Sequence, residues 1–149
     1  MGGSRQRASS GRHRARRFLV QALYQWQVAG DDPDDVLVQF IDGRNLGHAD
    51  IEYFQQLMRA IPADVAALDA QIRPLLERSV AMVDPVERAI LRLACYELRD
   101  RHEVPVRVVI DQSVELAKTF GAEQGHRFIN GVVDRLARRL RPHEFGRTG

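Results

Sequence analysis

A second cysteine, a second lysine and any long apolar run are all missing from this 149-residue chain. Cys95 has no partner for an intramolecular disulfide, which suits a reducing compartment such as the cytoplasm. No apolar stretch approaches the roughly 20 residues that span a bilayer. His13, His48, His102, His126 and His143 are scattered, with no pair at metal-ligand spacing. There is no G-x-x-x-x-G-K-[ST] phosphate loop and no G-x-S-x-G nucleophile elbow. These gaps point away from an enzyme, a metal centre and a bound cofactor. The acid pairs Asp31-Asp32 and Asp34-Asp35 lie at a helix start, where the positive end of the dipole favours them.

Another absence is local. Residues 1–30 contain six arginines and no acid, whereas residues 31–126 hold ten basic and eighteen acidic residues. Residues 127–149 return to six arginines against two acids, so the formal net charge of +2 hides two basic ends around an acidic middle. Such terminal blocks often mark arms for nucleic acid or an anionic surface. Lys118 is the single lysine, so guanidinium chemistry at any one site carries little weight, while the placement of charge does. Residues 4–17 share the arginine- and serine-rich composition of a transit peptide. The helical pattern, however, runs unbroken from Ala15 to Trp26 with large apolar residues suited to a core. A myristoylation signal fails because Gln6 stands where Ser or Thr is needed.

What is present is helix. Ala15, Phe18, Leu19, Ala22, Leu23 and Trp26 recur at helical spacing until Gly30. Asp32 and Pro33 start a second helix with Val36, Leu37, Phe40 and Ile41. Ile51, Phe54, Leu57, Met58 and Ile61 mark a third, which Pro62 should break or kink before a fourth carrying Val65, Leu68, Ile72 and Leu75. In "DPVERAILRLACYELRDR", Asp84 can cap, Pro85 takes the first turn and Glu87 resembles a capping box. This helix is apolar on most sides, as a central one should be, and Cys95 within it reads as a small buried hydrophobe. Two more follow: one after Pro105 with Ile110, Val114 and Ala117, and one with Phe128, Val132, Leu136 and Leu140 that stops at Pro142. The expected class is all-α, about seven helices.

Two stretches carry recognition chemistry. On the first helix Arg17, Gln21 and Tyr24 form a polar stripe that Arg14 extends, with Arg12 and Arg16 on a neighbouring line. Dense positive charge suits phosphates, and amides and flat rings suit unstacked bases, a combination that fits single-stranded RNA better than duplex DNA. The bland alternative is a solvated basic tail with Tyr24 packed at a boundary. The second stretch, "GAEQGHRFING" (residues 121–131), brings His126, Arg127, Phe128 and Asn130 among glycines, although Phe128 also reads as the first core residue of the last helix. Residues 114–133 also have the rhythm of a DNA-binding helix-turn-helix, which slips at Arg127, where an apolar anchor should stand.

The blocks "RARRFLVQALYQWQ", "VERAILRLACYEL" and "VPVRVVIDQSVELAKTFGAEQGHRFINGVVD" strongly resemble the bacterial NusB family of transcription antitermination factors, over residues 12 to about 140. The resemblance implies two packed helical bundles in one compact domain, spanning 12–142. It implies binding of the boxA element of ribosomal RNA operon leaders together with ribosomal protein NusE. The pair would act within an RNA polymerase antitermination complex with other Nus factors. By resemblance Arg12, His13, Arg14, Arg16, Arg17 and Tyr24 contact RNA, as do Arg127, Phe128 and Gln124, while Glu87 and Arg92 face NusE. A NusB-like domain also fronts some ribosomal RNA methyltransferases, a version expected not to fit these 149 residues unless they are a fragment. Residues 1–11 depart from the family pattern and are expected to be a disordered basic arm, and 143–149 a flexible tail. Gln124 stands where relatives carry an acid. The helix patterns leave a homodimer open.

Overall fold

A computed structural model describes residues 2–43, 46–121 and 124–146, with side chains from residue 10 onward. Among the described residues there are seven α-helices and no strands, the class read from the sequence. They are α1 (Gly2–Ala29), α2 (Pro33–Gly43), α3 (Ile51–Ala63), α4 (Val65–Ile72), α5 (Pro85–Asp100), α6 (Val106–Phe120) and α7 (Gly125–Leu140). Short 3-10 turns cover Arg73–Leu75, Val80–Met82 and Pro142–Phe145. The chain divides into two compact units, residues 1–63 and 64–149.

In the first unit α1 packs on α3 and α2. Its buried stripe is Ala15, Leu19, Ala22 and Leu23, at the spacing that places side chains over one another on one face. Facing residues include Phe40 and Phe54, whose tilted rings have centroids 5.9 Å apart. Gly30, at φ +73°, takes the left-handed turn that ends α1, as glycine does most readily. Asp32 accepts a hydrogen bond from the Asp34 amide (2.8 Å). Asp50, which the periodicity does not single out, accepts one from the Tyr53 amide at the start of α3 (3.0 Å). Pro62 sits inside the last turn of α3, and the helical geometry is lost two residues later, at Asp64 (φ −119°, ψ 23°). Helix α1 extends N-terminally to Gly2, through the segment expected to be a loose arm. Met1 lies outside the described residues.

In the second unit α5, α6 and α7 pack on one another and α4 packs on α5. Of the ten residues from Ala89 to Leu98 only Tyr96 is not buried, which is what an apolar sequence on most sides demands of a central helix. Asp84 caps α5 by accepting from the Val86 and Glu87 amides (2.9 and 3.2 Å). Cys95 is buried as expected, its thiol pushed up to about 12 by burial, with Sγ 3.8 Å from the Leu68 carbonyl. On α6 the period is right and Ala117 is buried as read, but the first part of the buried stripe is one residue out of phase. Val109, Ser113 and Leu116 are buried where the sequence singles out Ile110 and Val114, which are half-buried. Packing on both α5 and α7 gives α6 a buried face too wide for one stripe to define.

Arg141 closes this unit. It is fully buried, and its guanidinium donates to the carbonyls of Glu97, Leu98, Arg101 and Val104 at 2.6–2.9 Å and to Glu144 at 2.9 Å. Three of those carbonyls belong to the end of α5 and its cap, where a helix leaves acceptors unmet. Glu144 in turn accepts from the Val106 amide (3.2 Å) at the start of α6. Residues 143–145 of the expected tail lie in the Pro142–Phe145 turn, and residues 147–149 lie outside the described residues.

Candidate nucleic-acid interface

The fold sorts the arginines of α1 into two pairs. The Arg12 guanidinium lies over the Tyr53 ring, 4.2 Å from its centroid, with Nε 3.9 Å from Asp50. Arg16, expected to meet RNA, is 3% exposed and sits 5.8 Å from the same ring. A cation held over an aromatic face is stabilised by the ring quadrupole, so Arg12 and Arg16 clamp α1 to α3. His13 is half-buried.

Arg14 and Arg17 point the other way. Both are exposed, and they line a cleft of about 370 Å³ with Phe18, Gln21, Leu46 and Gly47. Neither is in an ion pair among the described residues. The Gln21 amide donates to the Arg17 carbonyl (3.3 Å), and Tyr24, one turn further, is 41% exposed. Positions 14, 17, 21 and 24 share one helix face. The stripe read from the sequence is thus a solvent-facing row of two cations, an amide and a ring.

In the second unit Gln124, Arg127 and Phe128 line a groove of about 880 Å³ with Leu75, Met82 and Glu87. Phe128 is 37% exposed, and the buried position beside it is Ile129, so the ring is not the first core residue of α7. Arg127 is exposed as well, where a recognition helix would need its apolar anchor. Gly125 permits the close approach of α7 to α5: a Cβ there would stand 2.8 Å from the Glu87 carboxylate. Burial, and then the neighbouring Asp84, push the Glu87 carboxyl above its usual range, while Arg78 pulls it down. The sequence reading assigned Glu87 to one surface and Arg127 and Phe128 to another, but they line the same groove. Arg92, expected to face a partner, is buried and bonded through Nε and Nη2 to both oxygens of Asp69 (2.9 and 2.8 Å).

Leu46, Gly47, Met82 and Arg135 also line these sites and were not singled out. Arg135 had a signal, since it lies two turns beyond Phe128 on the same face. The others had none, because they enter from turns. Among the described residues no group of His, Cys, Asp and Glu is arranged to hold a metal ion, and no helix is long and apolar enough to cross a membrane.

Residues 13–138 match the NusB family. The Transcription antitermination protein NusB of Alcanivorax borkumensis is 48% identical over 132 residues, 89% of this chain and 88% of that protein. The protein of the same name from Halorhodospira halophila is 53% identical over 125 residues, 84% of this chain and 80% of its own. The solved structure of T. maritima NusB superposes with a TM-score of 0.78 at 29% identity, covering 90% of this chain and 96% of that one. With the helical order and this similarity in agreement, the chain belongs to the NusB family.

Proposed function

We propose that this protein is a transcription antitermination factor that acts by binding and performs no catalysis. In this reading it binds the boxA element of ribosomal RNA operon leader transcripts together with ribosomal protein NusE. The assembly joins an RNA polymerase complex with other Nus factors and carries it through terminators, in the cytoplasm where the transcript is made. The observation that carries the reading is the acid-free face of α1, on which exposed Arg14, Arg17 and Tyr24 stand in a row with half-buried Gln21. Guanidinium groups without a competing carboxylate are available to phosphate, and the amide and ring beyond them suit an unstacked base.

The groove beside α7 fits the second half of the reading. Exposed Met82 and Phe128 give it an apolar floor, and Glu87 and Arg127 give it one charge of each sign, a surface suited to NusE. Arg127, Phe128 and Gln124 then serve RNA at the groove's edge, while Arg92 acts by holding α5 to α4.

The test is a filter-binding titration of boxA RNA against a scrambled oligonucleotide of equal length, with and without NusE. Expected is a preference for boxA that NusE strengthens. If about four phosphates are neutralised, affinity should fall with salt at a logarithmic slope of roughly −3. Equal affinity for the scrambled RNA, or a flat salt response, overturns the reading. Self-association through the groove in place of NusE binding overturns its second half.

A further inference from the structure

The turn that faces α1 makes a second wall to the arginine row. We propose that the cleft between α1 and the Leu46–Gly47 turn seats a single RNA phosphate, and that Gly47 keeps the seat open by having no side chain. The proposal rests on the RNA-binding reading and narrows it to one place on the first unit.

The wall is fixed. Leu46 is buried, its carbonyl accepts from the Ala49 amide (3.0 Å), and the Asp50 amide donates to the Gly11 carbonyl of α1 (2.9 Å). A Cβ at Gly11 would stand 3.1 Å from the His48 carbonyl, so the turn lies directly on the helix. The Asp50 carboxylate caps α3 and reaches Arg12, which in turn stacks on Tyr53. The wall is therefore tied both to the helix bearing the arginines and to the one beneath it.

Gly47 is the position where this wall meets the guanidinium. Its φ is +60°, and a Cβ there would come within 3.3 Å of Arg14 Nη1. The Arg14 side chain thus runs against bare backbone, and Arg17 faces the same cleft one turn on. Several other arginines are matched to acids: Arg92 to Asp69, Arg99 to Asp100, Arg138 to Asp134 and Arg141 to Glu144. Here two guanidiniums share a pocket that no carboxylate lines. Two forked donors around a concave site favour a tetrahedral anion. Gln21 and then Tyr24 continue along the same face, so an anion that is part of a nucleotide chain gains contacts a lone phosphate lacks.

Gly30 supplies an internal control. It also has positive φ (+73°), but a Cβ there meets nothing within 4 Å. Gly47→Ala and Gly30→Ala impose the same kind of backbone strain, and only the first obstructs the cleft. In the full-length protein both variants should melt at lower temperature. Only Gly47→Ala should weaken single-stranded boxA RNA binding, by about tenfold, the loss of one charge-assisted contact. The same variant should flatten the salt slope by roughly 0.7. A neutral methylphosphonate stepped along the RNA should reproduce that loss at one linkage for the wild type and at none for Gly47→Ala. If Gly47→Ala binds like the wild type while Arg14→Ala does not, the seat is wrong and the RNA reading stands. If the wild type shows no salt-dependent RNA binding, both fall. A methylphosphonate penalty spread evenly over all linkages overturns a single seat.

Discussion

Six arginines fall in residues 1–30 and six in residues 127–149, yet the two ends use them differently. In α1 the helix phase divides its described arginines between a clamp on Tyr53, made by Arg12 and Arg16, and an outward pair, Arg14 and Arg17. No acid lies in that stretch to claim the outward pair. In the C-terminal stretch Arg138 is bonded to Asp134 and lies over the Phe145 ring, and Arg141 is buried among carbonyls. Among the described residues there, only Arg127 and Arg135 reach the groove. Equal counts of positive charge thus give unequal surfaces. What separates them is the supply of acceptors, carboxylate or carbonyl, within reach of each guanidinium.

That contrast can be broken most severely at Arg141. Arg141→Ala removes five hydrogen bonds, to four backbone carbonyls and to Glu144, of which Glu97, Arg101 and Glu144 keep an amide donor, and should cost about 3–5 kcal/mol of stability in urea unfolding. RNA affinity per folded molecule should not change. The reverse pattern belongs to Arg14→Ala combined with Arg17→Ala. It should lower RNA affinity by at least tenfold and reduce the salt slope by roughly 0.7, the loss of the one phosphate the pair holds, while leaving the melting temperature near that of the wild type. Arg138→Ala, removing a charge already paired, should change RNA affinity little, and an equal loss would erase the distinction between the two ends.

Smaller effects sharpen the same contrast. Tyr24→Ala and Phe128→Ala should each cost about 1–3 kcal/mol of RNA affinity if each ring stacks on a base. Unchanged binding by a folded variant would return that ring to the protein partner or to the surface. Arg16→Ala should lower stability by about 1 kcal/mol through the lost clamp on Tyr53, with little direct effect on RNA.

The smallest expected effect is the pH response of Glu144. The hydrogen bond from Arg141 holds its carboxyl below the usual range, with further help from the Val106 amide. A carboxyl lowered by folding stabilises the protein above its unfolded value and loses that contribution as pH falls through its folded value. Glu144→Gln should therefore flatten the acid limb of a stability–pH curve. Glu87 has the opposite sign, since burial raises it and its ionisation opposes folding as pH rises. Glu87→Gln should accordingly stabilise the protein slightly at neutral pH.

Much of the fold was legible along the chain because its signals are local. Asp84-Pro85 opens α5, Gly30 ends α1, the apolar period of α3 marks most of its buried face, and Val132 and Leu136 mark that of α7. The phase of α6 was not legible, because packing against two helices widens its buried face past the stripe that Ile110 and Val114 suggest. In the candidate site, the row Arg14, Arg17, Gln21 and Tyr24 followed from helix spacing alone. The burial of Arg16 and Arg92 did not, since their partners, Tyr53 and Asp69, are 37 and 23 residues away in sequence. Nor did the joining of Glu87 to Arg127 and Phe128 in one groove, which depends on Gly125 letting α7 close on α5.

By itself the sequence determined the helical class, most helix starts and stops, the absence of acid along the first helix and the family. Those are properties of composition and of neighbours within a few turns. Tertiary structure alone decided which arginines are structural and which face solvent, and that the Leu46–Gly47 turn walls one cleft. A guanidinium's role is set by the acceptor or ring that folding brings within a few ångströms, and no spacing along the chain encodes that partner.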